Sequence, residues 1–212
     1  MAKLMSAVSF GSVSTLADTS ELQRRAFNDA FLVFGLDWFW SRKDYISMLG
    51  SNGGAQRIQD YARSRGEDVD VAAVHALKSA IFQELLGNST ISPRPGVAAT
   101  VADAKKNRHK VGFVTTTSQG NINALLAALR PHISAEMFDL IVNRDSVRAA
   151  KPDPAAYEFA PEQLGEDADS AVAIEDNVGG VTVLPSSGHH RSDGVMWDNR
   201  CVLQCADGRN GG

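Results

Sequence analysis

The half of the chain after residue 93 alternates short apolar runs with helical patterns, and this alternation constrains the fold most. Strands are predicted at 110–115, 138–143 and 170–176, and helices at 96–107, 121–129 and after Pro154. One more apolar run, residues 4–10, ends at Gly11 near the N-terminus. Because strands that alternate with helices pair in parallel, the pattern predicts an α/β fold with a doubly wound parallel sheet.

The segment between the first strand and residue 93 is helical throughout. Thr19 or Ser20 can cap an amphipathic helix that stops at Gly35. Further helical patterns cover 42–49, 54–65 and 70–87. This block is therefore predicted to be an all-helical domain inserted after the first strand. The predicted division is a helical cap of residues 17–92 on an α/β core of residues 1–16 and 93–212.

Composition narrows the possible partners. The chain has 212 residues, of which 43% are hydrophobic, enough for one large domain or one domain with an insertion. A net charge of -4 offers no basic face for nucleic acid or for an anionic membrane. The start "MAKLMSAVSF" lacks the long apolar region of a secretory signal, which predicts a cytoplasmic protein. Cys201 and Cys205 are then expected to be free thiols rather than zinc ligands.

Polar residues follow the predicted strands at the edge of the sheet where an open α/β fold binds its ligand. Thr115 ends one strand, and Glu175 and Asp176 end another. Lys151 lies in the proline-containing loop "KPDP". A hydroxyl and an ammonium beside the N-terminus of the helix at 121–129 suit a phosphate group, and adjacent carboxylates are suitable ligands for Mg2+.

The order and spacing of these elements resemble the haloacid dehalogenase-like (HAD) hydrolase superfamily, in particular its phosphoglycolate phosphatase and β-phosphoglucomutase group. "VGFVTTTS" is similar to the second motif of that family, "AAKPDP" to its lysine motif and "VAIEDNVGGV" to its acidic fourth motif. "ISPRPGV" resembles the segment by which the chain re-enters the core. The resemblance implies that Thr115 and Lys151 hold a phosphate group and that Asp176 and Glu175 hold Mg2+.

The cap loop "GSNGGAQRIQDY" faces the active site in the family and selects the substrate. This resemblance makes Arg57 a candidate contact for an anionic substrate, although a solvated position on a surface helix is equally compatible with the sequence. Trp38 and Trp40 are expected to pack in the cap rather than line a pocket. The adjacent His189 and His190 are expected to lie in a solvated loop. From about residue 183 the chain departs from the family pattern, which predicts a loosely packed tail.

The first motif departs from the family at both of its catalytic positions. The family reads D-x-D-G-T-L-x-D-T, and this chain reads "GSVSTLADT". Gly11 stands where the family has its nucleophilic aspartate, and Val13 stands where it has its acid/base aspartate. Neither side chain can do that chemistry, so weak or absent phosphomonoester hydrolysis is predicted. Mg2+ binding should weaken as well, because the first aspartate is also a metal ligand in the family.

Three functions therefore stay open from the sequence. The first is a degenerate phosphatase that still binds a small phosphorylated molecule or an inorganic anion. The second is a non-catalytic protein that binds an anion or docks a protein partner, with Glu175 or Asp176 able to pair with Lys151 and close the site. The third is a hydrolase with a substitute nucleophile such as Ser12. Alternation along an extended strand points Ser12 away from the sides of Gly11 and Val13, which argues against the third. Asp18 is expected to orient the start of the next helix.

Overall fold

A four-stranded parallel sheet forms the centre of the computed structural model, which describes residues 5–49, 53–149, 151, 153 and 155–176. The strand order is β3-β2-β1-β4, with β1 at Ala7–Phe10, β2 at Lys110–Val114, β3 at Leu140–Val142 and β4 at Ala171–Ile174. All three pairings are parallel. The chain builds outward from β1 on one side and then returns to its other side, so the predicted doubly wound α/β fold is confirmed.

Helices occupy both predicted regions of the chain. Between β1 and β2 lie α1 (Val13–Leu16), α2 (Ser20–Val33), α3 (Arg42–Ser47), α4 (Gly54–Arg65), α5 (Val71–Gly87) and α6 (Val97–Lys106). After β2 come α7 (Gln119–Ala128) and α8 (Ala155–Leu164). Short 3-10 turns lie at Ala135–Met137, Arg144–Ser146 and Ala168–Ser170. The short helix α1 was not predicted from the sequence.

Side-chain caps explain where several helices begin. The Asp70 carboxylate accepts the backbone N–H of Ala73 at 2.9 Å and starts α5. The Ser118 hydroxyl accepts the N–H of Asn121 and starts α7, earlier than the sequence predicts. Asp18 accepts the N–H of Ser20 at 3.1 Å, which confirms its predicted role at the start of α2.

The described residues form three apolar clusters, of which the two largest belong to the sheet and to the cap. The sheet cluster packs β1, β2 and β4 against α6 and α7, with Phe10, Phe113 and Leu125 at its centre. The cap cluster is aromatic and includes Phe27, Trp38 and Trp40. Trp38 and Trp40 are 5% and 0% exposed, so both pack in the cap interior as expected.

Helix α5 belongs to both clusters. Its first half contributes Val74 to the cap cluster, and its second half contributes Phe82 and Leu86 to the sheet cluster. Ile81, between these two parts, packs against both clusters. The inserted helices are therefore tied to the sheet by a continuous apolar contact along one helix.

Some predictions concern residues outside the described part of the chain. These are the thiols of Cys201 and Cys205, the loop with His189 and His190, and the tail from about residue 183. Within the described ranges, none of the helices combines the length and the apolar character that crossing a membrane requires. The cytoplasmic location stays a prediction.

Candidate active site

Lys151 lies where the carboxyl ends of three strands meet. Its ammonium donates to Glu175 Oε1 after β4 at 2.7 Å, to the Val114 carbonyl at the end of β2 at 3.0 Å, and to the Gly11 carbonyl after β1. The Lys151 and Glu175 side chains are only 9% and 1% exposed. Burial lowers the pKa of Lys151, while the charge of Glu175 acts in the opposite direction. The predicted convergence of Gly11, Lys151 and Glu175 is thus present, in the form of an internal ion pair.

The space beside Gly11 is filled by its neighbours. A Cβ atom at position 11 would overlap with the Tyr157 hydroxyl and the Glu175 carboxylate. Tyr157 lies in the first turn of α8, accepts a hydrogen bond from Lys151 at 2.6 Å and donates one to Glu175. Burial and then the charge of Glu175 raise the pKa of Tyr157 well above its usual value. Sequence reasoning missed Tyr157, although its place soon after the "KPDP" loop was a usable signal.

Asp176 forms a second polar group with hydroxyls from the first motif. Ser12 donates to Asp176 Oδ1 at 2.6 Å, and Thr15 donates to the same oxygen at 3.2 Å. The predicted orientation of Ser12, away from the site, is wrong because β1 ends at Phe10 and Ser12 is the N-cap of α1. Alternation along a strand therefore does not apply to Ser12. Ser12 and Thr15 thus hold the Asp176 carboxylate against the first motif.

The donor set predicted for a magnesium ion is reduced at Gly11 and Glu175. Mg2+ in proteins is usually held by one or two carboxylates together with waters and substrate phosphates. Here Glu175 faces the Lys151 ammonium, and position 11 supplies only a carbonyl oxygen, which also accepts from Lys151. Among the described residues, no group of three or more His, Cys, Asp or Glu side chains is arranged to hold a metal.

Thr115 lies just beyond the end of β2 and follows Val114, whose carbonyl oxygen accepts a hydrogen bond from Lys151. Its backbone N–H donates to the Val142 carbonyl at 3.0 Å, and its hydroxyl oxygen accepts the N–H of Thr117 at 3.3 Å. Thr115 is 4% exposed. The hydroxyl is thus held at the strand tip beside the N-terminus of α7, as the phosphate-binding prediction requires.

Arg57 on α4 packs against Tyr45 of α3. Its guanidinium lies over the Tyr45 ring at 5.8 Å, and its Nε and Nη1 atoms are buried with no hydrogen-bond partner among the described residues. The interpretation of Arg57 as a solvated surface residue is therefore wrong. Burial raises the pKa of Tyr45 to about 12, opposed by Arg57 and assisted by the charges of Asp176 and Asp18. The pKa of Tyr45 is thus affected by the charge of Arg57 in the cap and by the charge of Asp176 after β4.

Two further basic residues, His75 and Lys78, lie on α5 near Arg57. Lys78 is 4% exposed, sits over the rings of Phe27 and Phe82 at 4.6 and 4.9 Å, and donates to Gln23. Burial, with a smaller effect of Arg57, lowers the pKa of Lys78 to about 7. We call Arg57 and Lys78 the cap cation cluster. Sequence reasoning missed Lys78 and His75, although a lysine on the apolar face of "AVHALKSAIF" was a signal.

His75 lies close to this cluster, and its imidazole is neutral near pH 7. Burial, followed by repulsion from Lys78, Arg144 and Arg57, lowers the pKa of His75 to about 4. Arg144 belongs to the core, in the turn after β3, so cations from both parts of the protein act on the same imidazole. Arg144 itself lies 3.8 Å from Asp145, so the positive charge that favours an anionic ligand here is that of Arg57 and Lys78.

Comparison with known proteins places this geometry in a family. The model of the haloacid dehalogenase-like hydrolases matches residues 5–188. The chain belongs to this family. The resemblance drawn from the second, lysine and fourth motifs is thereby confirmed.

Proteins similar to this chain include several CbbY proteins. Protein CbbY of Cereibacter sphaeroides is 37% identical over 188 residues, covering 87% of this chain and 82% of the relative. The crystal structure of CbbY from Rhodobacter sphaeroides in complex with phosphate is 38% identical with a TM-score of 0.78, covering 85% of this chain and 81% of that one. A mutant of that protein in complex with xylulose-(1,5)bisphosphate is 37% identical with a TM-score of 0.78 and the same coverage.

Proposed function

We propose that the chain binds a small phosphorylated molecule between the cap and the strand tips and does not hydrolyse it efficiently. The observation that carries this proposal is the content of the first motif. Position 11 has no side chain, and its space is taken by Tyr157 and Glu175. Val13 is 7% exposed and packs in the sheet cluster, so it supplies no proton to a leaving group. Neither step of a covalent phosphatase has its residue in the expected place.

The cap cation cluster supports an anionic ligand. Burial is the largest cause of the lowered pKa values of Arg57 and Lys78, and the positive charge of Arg57 lowers the pKa of Lys78 further. Among the described residues, two buried nitrogens of Arg57 lack a hydrogen-bond partner, and a phosphate oxygen would supply one. Because a CbbY relative binds xylulose-(1,5)bisphosphate, we extend the same ligand class, a sugar phosphate or bisphosphate, to this chain.

A phosphate group at the strand tips would meet a partly closed site. Thr115 and Lys151 are the residues we propose to hold it, but Lys151 already donates to Glu175 and to two backbone carbonyls. An anion must therefore compete with the Glu175 carboxylate for the ammonium. We expect millimolar affinity for inorganic phosphate alone, about 4 kcal/mol, and tighter binding for a bisphosphate that also reaches the cap cation cluster.

A calorimetric titration with xylulose-(1,5)bisphosphate and with inorganic phosphate tests the proposal. The parent is compared with Arg57→Met and Lys151→Ala, and with Arg63→Met as a matched control on the exposed face of α4, where Arg63 is 73% exposed. We expect each site variant to weaken bisphosphate binding at least tenfold, about 1.4 kcal/mol, and the control to leave it unchanged. No binding by the folded parent, or equal binding by all four proteins, would overturn the proposal.

One observation favours a second candidate, a hydrolase that uses Ser12. The Ser12 hydroxyl donates to Asp176 at 2.6 Å, the arrangement of a nucleophile beside an acceptor for its proton. A carboxylate is a weak base, and Ser12 Oγ also accepts the Thr15 N–H at 3.0 Å as a helix cap. These contacts favour a structural role for Ser12. Loss of a measurable phosphatase activity in Ser12→Ala, with the fold intact, would favour the second candidate.

A further inference from the structure

A chain of hydrogen bonds runs from the cap to the candidate phosphate-binding hydroxyl. Gln83 on α5 donates its Nε2–H to Asn121 Oδ1 on α7 at 3.0 Å. Asn121 in turn donates its Nδ2–H to the Thr117 hydroxyl at 2.9 Å. The Thr117 backbone N–H donates to the Thr115 hydroxyl oxygen at 3.3 Å. Thr115 is therefore linked to a cap residue through two intermediate residues.

The packing around Gln83 restricts the position of its side chain. A Cβ atom on Gly120 would lie 2.9 Å from Gln83 Nε2 and 3.2 Å from its Oε1, so only glycine at position 120 lets the side chain pass without displacement. Asn121 is 5% exposed. The residue before Gln83 along α5, Phe82, is fully buried in the same cluster as Ile122 of α7. The position of Gln83 over the start of α7 is therefore fixed by apolar contacts next to it.

The bonds in this chain have a direction, and the direction matters for Thr115. The Asn121 amide uses its oxygen toward the cap and its nitrogen toward Thr117, so both ends of the amide are committed. The Thr115 oxygen accepts a hydrogen bond from the Thr117 backbone N–H, which leaves its own O–H to donate elsewhere. A hydroxyl whose oxygen already accepts a hydrogen bond is suited to donate its proton to a phosphate oxygen.

We propose that Gln83 is a positioning residue that couples the placement of the cap to the orientation of Thr115. When α5 is seated on α7, Gln83 fixes Asn121, Asn121 fixes the turn at Thr117, and that turn orients the Thr115 hydroxyl toward an anion. The part of this proposal that concerns affinity rests on the proposed function, because it takes a phosphate group as the ligand. The part that concerns the turn stands on the hydrogen bonds alone.

The test replaces Gln83 with leucine, which has a similar volume and cannot donate. The first readout needs no ligand and consists of the NMR signals of the Thr115 and Thr117 amides and of the Asn121 side-chain NH2, with hydrogen exchange over the first turn of α7. We expect these signals to shift and exchange to accelerate at least threefold. The second readout is the Kd for inorganic phosphate, expected to rise about threefold to tenfold while the thermal midpoint changes little.

Two further variants make the result specific. Gly120→Ala keeps the glutamine but displaces it, and we expect the same changes as in Gln83→Leu. Gln56→Leu removes a comparable bond on α4, from Gln56 to Asp60 at 2.8 Å, and should leave both readouts unchanged. Signals of Thr115, Thr117 and Asn121 that stay in place in both Gln83→Leu and Gly120→Ala would overturn the coupling. A parent that binds no phosphate would instead overturn the proposed function, and the ligand-free signals would still decide the coupling.

Discussion

The absence of a side chain at Gly11 changes the contacts that the neighbouring residues make. Lys151 donates to the Gly11 carbonyl, and Tyr157 and Glu175 fill the adjacent volume. The result is a buried ion pair with a phenol hydrogen-bonded to both of its charged groups. Such a pair stabilises when complete and is costly when one member is removed, because the other charge then stays buried without its partner. The strand-tip site is therefore more closed than three matching motifs suggest.

The burial of Lys78 lowers the free energy of unfolding by an amount that depends on pH. Burial lowers the pKa of Lys78 to about 7, so between that pH and its ordinary value near 10.5 the unfolded chain binds more protons than the folded one. Stability must then rise with pH across this window. We expect the parent to gain roughly 2 kcal/mol between about pH 7 and pH 9 from this group, and Lys78→Met to lack that gain.

Urea unfolding of both proteins at the two pH values measures this difference, with the exposed Lys106→Met as control. At pH 7 the Lys78→Met variant should be more stable than the parent, because it no longer buries an ammonium group among apolar side chains. The advantage should shrink as the pH rises. The same pH dependence in the parent and in Lys78→Met would show that Lys78 does not titrate in this range.

At the scale of elements, periodicity predicted strands and helices well and their ends less well. A strand of a parallel sheet is buried on both faces, so it consists of consecutive apolar residues. Residues 110–115 show this pattern in the sequence, and it predicted β2. The start of α7 depends on the Ser118 side chain as its N-cap. The prediction for Ser12 is wrong because it extends the strand through Val13, whereas Ser12 is the N-cap of α1. Local signals existed for Tyr157, which soon follows the "KPDP" loop, and for Lys78, which lies on an apolar helix face, but their partners depend on how the elements pack.

The double membership of α5 gives a prediction at this scale. Phe82 is fully buried in the sheet cluster, while the same helix contributes Val74 to the cap cluster. We expect Phe82→Ala to cost about 3–5 kcal/mol and to destabilise the cap and the sheet together. Native-state hydrogen exchange should show reduced protection in both α4 and β2. Loss confined to the sheet, with α4 unchanged, would mean that the cap is stable independently of this contact.

At the scale of the whole molecule, the chain keeps the fold of its family, and its first motif has neither of the two carboxylates of the family pattern. The sheet brings Gly11, Lys151 and Glu175 together at the strand tips, and the inserted helices bring Arg57, His75 and Lys78. The exact division into a cap of residues 17–92 and a core around it stays a prediction. Binding without turnover is the behaviour that we propose on these grounds.

The most direct test of that claim measures binding and turnover on one sample. Xylulose-(1,5)bisphosphate is added to the purified protein with Mg2+ present, its binding is confirmed by calorimetry, and released phosphate is followed for hours. We predict that the bisphosphate binds and that phosphate release does not exceed the protein-free background. Phosphate release that scales with protein concentration, whether or not Ser12→Ala abolishes it, would contradict the account.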